Sequence, residues 1–149
     1  MANLRPATKS DFAEIAKIWH ASASQPGVGP PTMPTLSDLR ERIDLEIANG
    51  WSLTLAIRQG TVSGFVATKP AASILDQLFV APEAIGSGLG RLLFDQARRE
   101  MPNGFILHTA ATNRNARSFY EKAGMTLMHR TAHPRTGHPV VWYEWKPDQ

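Results

Sequence analysis

The 149-residue sequence contains no cysteine, which excludes disulfide bonds, thiolate metal sites and a cysteine nucleophile. A reducing cytoplasm is the simplest setting for such a chain. No apolar stretch approaches the roughly twenty residues of a membrane-spanning helix, and Met1 to Phe12 carry no signal-peptide core. Runs of like charge are missing too. The net charge of +3 and pI near 9.6 favour an anionic partner, yet the basic residues are scattered, so neither nucleic acid nor a membrane is expected. Arginines gather only at Arg91, Arg98, Arg99, Arg114 and Arg117, where a small polyanion can use a few of them. There is no repeat, low-complexity tail or linker. With 42% hydrophobic and 19% charged residues, residues 1–149 read as one domain with one core.

Present instead is a change of period along the chain. Asn3 to Pro6 read as a short strand. Asp11 with Glu14 resembles a capping box, and Phe12, Ile15, Ala16 and Trp19 follow at helical spacing to about Ala23. Pro26, Gly27, Gly29, Pro30, Pro31 and Pro34 exclude a regular element between Gln25 and Pro34. Thr35 or Ser37 then caps a helix whose buried stripe is Leu36, Leu39, Ile43 and Ile47, ending at Asn49-Gly50. From Trp51 apolar residues alternate, giving strands on either side of Gln59-Gly60 and a third from Ser73 to Val80. Leu89, Leu92, Leu93, Gln96 and Ala97 mark a helix to Glu100, and Phe105 to Thr109 form a strand parallel to Ile74–Val80. A helix from about Asn113 to Ala123 and strands over 125–133 and 139–145 complete a mixed sheet.

The junction between strand Ile74–Val80 and the helix from Leu89 carries the glycine run Gly86-Ser87-Gly88-Leu89-Gly90. Glycines let successive backbone amides approach an oxygen-rich ligand, and the helix that follows adds unpaired amides and its positive dipole end. A phosphate or pyrophosphate is the natural guest. The same spacing also serves a bare tight turn. A Walker A loop is excluded because Arg91 and Leu92, not Lys and Ser or Thr, follow Gly90. The run reads G-x-G-x-G and not G-x-G-x-x-G, so a dinucleotide fingerprint fails as well.

Together with a second motif, Asn113-Arg114-Asn115-Ala116-Arg117-Ser118-Phe119-Tyr120-Glu121-Lys122-Ala123-Gly124-Met125, this run resembles the GNAT N-acetyltransferase superfamily. The segment is similar to the family's N-x-x-A-x-x-F-Y-E-K-x-G-F. Leu78-Phe79-Val80-Ala81-Pro82-Glu83 leading into Gly86 to Leu93 resembles its acetyl-CoA pyrophosphate loop, and the likeness extends from Asn3 to Trp145. Ile85 departs from it, standing where the family has Gln or Arg. Met125 replaces the usual Phe, a volume-tolerant core change.

The resemblance implies an α/β (α+β) fold: a mixed, mostly antiparallel sheet of about seven strands, four helices, and a parallel pair splayed at the cofactor site. It implies acetyl-CoA as co-substrate, no metal, and direct attack of a primary amine on the thioester. Splaying would free backbone groups on Phe79 and Val80 for the pantetheine arm, in the manner of an added strand. By the resemblance, the cofactor-binding positions are Leu78, Phe79, Val80, Ile85, Gly86, Ser87, Gly88, Leu89, Gly90, Arg91, Asn113, Ala116 and Phe119. Tyr120 is the implied acid for the leaving thiolate, a phenol that stays protonated at neutral pH; taken alone, it would be read as core packing. Asn113 is both a helix N-cap and a candidate ligand of the arm.

For the base, Asp76 sits on the strand leading into the site, where period two puts it with Leu78 and Val80. His108, His133 and His138 titrate in the right range, and His138 is the strongest of these. The acceptor pocket is expected between the Gln25–Pro34 loop, the second helix and the last hairpin. Trp19, Trp51, Trp142, Tyr143 and Trp145 are either its aromatic wall or core. The expected acceptor is a small or amino-acid-like amine; the alternatives are a protein lysine or N-terminal acetyltransferase and a non-catalytic acyl-CoA sensor. A homodimer, common in the family, would use edge strands of the C-terminal hairpin.

Overall fold

The computed structural model describes residues 2–147. Strand β1 (Ala2–Pro6) leads through a short 3-10 turn into helix α1 (Phe12–Ala23), and the capping box is Thr8 with Asp11, not Asp11 with Glu14. Asp11 is committed elsewhere. Its carboxylate accepts a bidentate pair from the Arg5 guanidinium at 2.8 and 2.9 Å and the Thr8 amide at 2.8 Å, while Glu14 pairs with Lys17. These hydrogen bonds, led by those from Arg5, hold the Asp11 carboxyl well below the usual carboxylate range. A lowered folded-state pKa contributes stability above the unfolded value near 4, and that contribution is lost as the pH falls. Asp11→Asn is therefore expected to lower the thermal midpoint at pH 7 more than at pH 3; an equal loss at both would contradict the assignment.

Helix α2 (Leu36–Ala48) is capped by Thr35, whose hydroxyl accepts from the Asp38 amide at 3.1 Å. Leu39 and Ile43 are buried, but Leu36 and Ile47 are exposed, so the expected stripe is covered only at its middle, where α2 meets α1. Strands β2 (Ser52–Arg58), β3 (Thr61–Lys69) and β4 (Ile74–Val80) form an antiparallel meander. Helix α3 (Leu89–Glu100) crosses to β5 (Phe105–Ala110), α4 (Arg114–Lys122) follows, and β6 (Thr126–Ala132) and β7 (Pro139–Trp145) close the chain. The seven-stranded sheet runs β1-β2-β3-β4-β5-β7-β6. The expected mixed, mostly antiparallel architecture is what forms.

One face is covered by α1 and α2, with Trp19 against Trp51 and Phe65 at ring separations of 5.7 and 6.3 Å. The other carries α3 through Leu89, Leu93, Phe94 and Ala97. Close approach of α3 depends on Gly64, where a Cβ would lie 2.9 Å from the Phe79 carbonyl oxygen and 3.1 Å from Leu93. Helix α4 packs Tyr120 against Phe94 at 6.3 Å and is tied to β7: Arg117 Nε donates to Tyr143 Oη at 3.1 Å, and Tyr143 donates to Glu121 at 2.6 Å. Arg117 is thereby spent on the fold. Arg91 and Arg98 likewise both pair with Asp95, at 3.2 and 3.0 Å. Four of the five candidate wall aromatics, Trp19, Trp51, Tyr143 and Trp145, are core residues; Trp142 stays half-buried.

Candidate active site

Two irregularities in β4 make the site. The first is its parting from β5: the parallel pair is in register only at Ile74 and Ile106, and beyond that point the strands splay. Ala81 donates back to Ser63 at 2.8 Å, whereas the Val80 carbonyl turns away and accepts from Ser22 Oγ at 3.1 Å. Backbone direction alternates along an antiparallel strand. The groups turned into the gap are therefore those of Leu78 and Val80, while those of Phe79 return to β3, rather than Phe79 sharing the opening as expected.

The second irregularity is a bulge. Gln77 pairs with Ala67 and Leu75 with Thr68, leaving Asp76 as the extra residue. Alternation breaks there, which overturns the expectation that Asp76 shares a face with Leu78 and Val80. Its Oδ2 instead accepts from Trp51 Nε1 at 2.7 Å and lies 3.8 Å from Lys69 Nζ, on the side of Trp19 and α1. The Val80 side chain faces Gly90 of α3.

At the end of the gap the chain turns through Ile85 and Gly86 into α3. Gly86 and Gly88 have φ of +85° and +87°, values that favour glycine. Gly88 caps α3 without a side-chain bond, and among the described residues the amides of Gly86, Gly88, Leu89, Gly90 and Arg91 have no acceptor. The Ser87 hydroxyl and amide both turn back to the Ala84 carbonyl. Leu89 is buried and serves through its backbone; Ile85 is exposed. A Cβ on Gly90 would touch Phe119 at 3.4 Å, so Val80, Gly90 and Phe119 meet. Adjacent amides at a helix start fit a pyrophosphate.

Where β4 parts from β5 lies a cavity of about 480 Å³, reached by Leu78, Phe79, Asn113, Ala116, Tyr120, Asp76 and His138. Asn113 caps α4, its Oδ1 accepting from the Ala116 amide at 3.2 Å. Tyr120 is 7% exposed, and burial pushes its phenol well above the ordinary value. The Tyr120 hydroxyl makes no hydrogen bond among the described residues, and Phe94, Phe119 and Tyr143 surround the ring. It is a neutral donor at a cavity wall.

Three histidines occupy the opposite wall. His108 packs on Trp142 at 4.7 Å, and His133 stacks on His138 at 5.0 Å. His138 Nδ1 faces the Thr136 hydroxyl. Burial lowers the pKa of His108, opposed by the Asp76 charge, so His108 is neutral at pH 7. Among the described residues no group of acids and histidines is arranged to hold a metal ion.

Several residues at the site were not singled out in the sequence: Ser22, which holds the Val80 carbonyl, and three charged residues of the cavity wall. Ser22 carried a readable signal, a polar residue three positions after Trp19 on an apolar helix face. Arg42, Glu46 and Lys69 carried none, since each reads as an ordinary surface charge until α2 and β3 are brought to the cavity.

Comparison with known proteins agrees with this geometry. The model of the acetyltransferase (GNAT) family matches residues 12–125, and the chain belongs to that family. The GCN5-related N-acetyltransferase from Rhodopseudomonas palustris superposes with a TM-score of 0.79 at 21% identity, covering 99% of this chain and 96% of that one. Phosphinothricin acetyltransferase from Sinorhizobium meliloti, in complex with acetyl-CoA, gives 0.75 at 18% identity over 97% and 88%. The yncA protein of Salmonella typhimurium, with its cofactor acetyl-CoA, gives 0.73 at 18% over 100% and 95%. At these identities the likeness is one of fold. The comparison with curated protein sequences gave no significant match.

Proposed function

We propose that the protein is an acetyl-CoA-dependent N-acetyltransferase that acetylates the primary amine of a small or amino-acid-like molecule by direct attack. The observation that carries this reading is a conjunction: free amides at the start of α3, the Leu78 backbone and the Val80 amide turned into the gap between β4 and β5, and an unpartnered Tyr120 hydroxyl in the cavity there. Bound acetyl-CoA supplies the acyl thioester. The amides of Gly86, Gly88, Leu89, Gly90 and Arg91 hold the pyrophosphate, with Ser87 and Ile85 shaping the turn, and Leu78 and Val80 pair with the pantetheine arm as an added strand does. Asn113, Ala116 and Phe119 form the wall beside it. The Val80 amide, turned into the gap, polarises the thioester carbonyl in this reading.

Tyr120 keeps its proton on Oη and presents it to the leaving sulfur. Asp76 Oδ1, free of the bonds that occupy Oδ2, holds the acceptor's ammonium. His108, neutral through burial, takes the ammonium proton, with His138 beyond it on the same wall. Activity then falls on acidification only as the pH passes through a value below the ordinary histidine pKa near 6.5, because the base must be unprotonated. A kcat/KM profile whose acid limb lies below 6.5 and disappears in His108→Gln is the expected result; an unchanged limb would remove His108. A homodimer through β6, the exposed sheet edge, is the assembly this reading favours.

The reading is tested by following free thiol while the protein is incubated with acetyl-CoA and a panel of amines. Amine-dependent thiol release is expected. Release only with lysine peptides or protein N-termini would favour protein acetylation, and acetyl-CoA binding without release on any acceptor would favour a sensor.

A further inference from the structure

The charged groups on the cavity wall do not balance. Arg42, Lys69 and Arg135 face it against the carboxylates of Glu46 and Asp76, and Lys69 lies between both acids, 3.6 Å from Glu46 and 3.8 Å from Asp76. Arg42 is left with one loose contact, 3.9 Å to Glu46, and it makes no hydrogen bond among the described residues. Its guanidinium lies over the Trp19 ring at 5.3 Å, which fixes the plane while leaving the N–H edge uncommitted. The Arg135 side chain, at the tip of the β6–β7 hairpin, has no ion-pair or hydrogen-bond partner among the described residues.

His133 joins these two cations and is itself prepared as a donor. Its Nδ1 accepts from the Arg135 and Thr136 amides at 3.1 and 3.4 Å. An accepting Nδ1 puts the proton of the neutral ring on Nε2. Burial first, then the charges of its neighbours, including Arg135 and Arg42, keep the ring neutral. Two guanidiniums and one imidazole N–H, none with a hydrogen-bond acceptor among the described residues, line the same cavity close enough for the charges of Arg135 and Arg42 to act on His133. The Asp76 carboxylate lies near enough for its charge to reach Arg42. Nearby surface at Trp19, Leu39 and Met33 is apolar.

We infer that Arg42, Arg135 and His133 seat an anionic oxyacid group of the acceptor, so that the amine acetylated also carries a carboxylate or a phosphonate. This deepens, and rests on, the proposed acetyltransferase reading: Asp76 takes the ammonium end and the guanidinium pair takes the anionic end of an amino-acid-like zwitterion. A bidentate guanidinium suits a planar carboxylate or a phosphonate edge equally. Polyamines, which present a second cation to Arg42 and Arg135, are rejected by like-charge repulsion.

The test uses matched probes with the full chain. L-leucine, L-methionine and 1-amino-3-methylbutylphosphonate are compared with leucine methyl ester, isoamylamine and spermidine, by thiol release with acetyl-CoA and by calorimetry in the presence of CoA. The acids are expected to have KM and Kd values about ten- to a hundredfold below those of the ester and the amine, the range of a charge-assisted hydrogen bond. Arg42→Gln and Arg135→Gln should each reduce that acid-to-amine ratio, with Arg135→Gln, at the exposed hairpin tip, guarding against misfolding of the Arg42 variant on Trp19. Carboxylate against phosphonate preference tells which oxyacid is the natural one. Ester or amine handled as well as the acid, or a ratio unmoved by both variants, would overturn the inference. Acids that bind in an arginine-dependent way, without thiol release on any acceptor, would support the anion seat and overturn the catalytic reading instead.

Discussion

Tyr120→Phe is expected to lower turnover by about a hundredfold or more, the usual scale for a lost general acid, while CoA affinity changes little. The asymmetry follows from where the hydroxyl stands. It touches no other described polar group, and the ring is held by Phe94, Phe119 and Tyr143, so removing one oxygen leaves the packing intact. Burial raises the phenol pKa, which keeps the proton in place throughout the neutral range, and a buried donor next to a developing thiolate acts in a medium of low dielectric. Fluorescence or calorimetric CoA titration beside steady-state kinetics separates the two quantities. Unchanged turnover would remove Tyr120 from the mechanism.

Gly88→Val is expected to act on binding instead, raising the Kd for CoA by about tenfold or more, because a β-branched residue held at positive φ costs on the order of 1–3 kcal/mol. Crowding is not the cause. No atom lies within 4 Å of the position a Cβ would take at Gly88, whose φ is +87°, so the substitution acts by turning the chain out of the left-handed conformation and misaligning the amides that follow. Gly88→Ala should weaken binding less, and both variants should retain the far-ultraviolet circular dichroism of the native sheet. An unaltered CoA titration in Gly88→Val would sink the phosphate-turn assignment.

Periodicity was enough to read most of the fold. The alternation from Trp51 to Ile57 and the helical spacing from Phe12 to Trp19 are direct consequences of one-sided burial, and both elements form where that spacing puts them. Tertiary competition explains the misses. Asp11 forms no box with Glu14 because Arg5, brought alongside, takes its carboxylate, and Leu36 and Ile47 stay exposed because α1 reaches only the centre of α2. At the site, the glycine run and the segment from Asn113 to Tyr120 were legible because backbone conformation and helix capping leave marks on composition. The bulge at Asp76 leaves none: a single unpaired residue in β4 moves its side chain from the α3 side to Trp51 and Lys69 without altering the apolar pattern around it. The cavity charges are illegible for a related reason, since Arg42, Lys69 and Arg135 come from three separate elements.

In the proposed enzyme the cofactor is held by backbone amides at the start of α3 and along the open edge of β4. Amide-resolved NMR titration with CoA tests it most directly. Saturable shifts are expected to concentrate at Gly86, Gly88, Leu89, Gly90 and Arg91 and at Leu78 and Val80, with the Phe79 amide, turned to β3, moving less. Shifts absent from these amides, or gathered at Arg114 and Lys122 on the outer face of α4 alone, would contradict it.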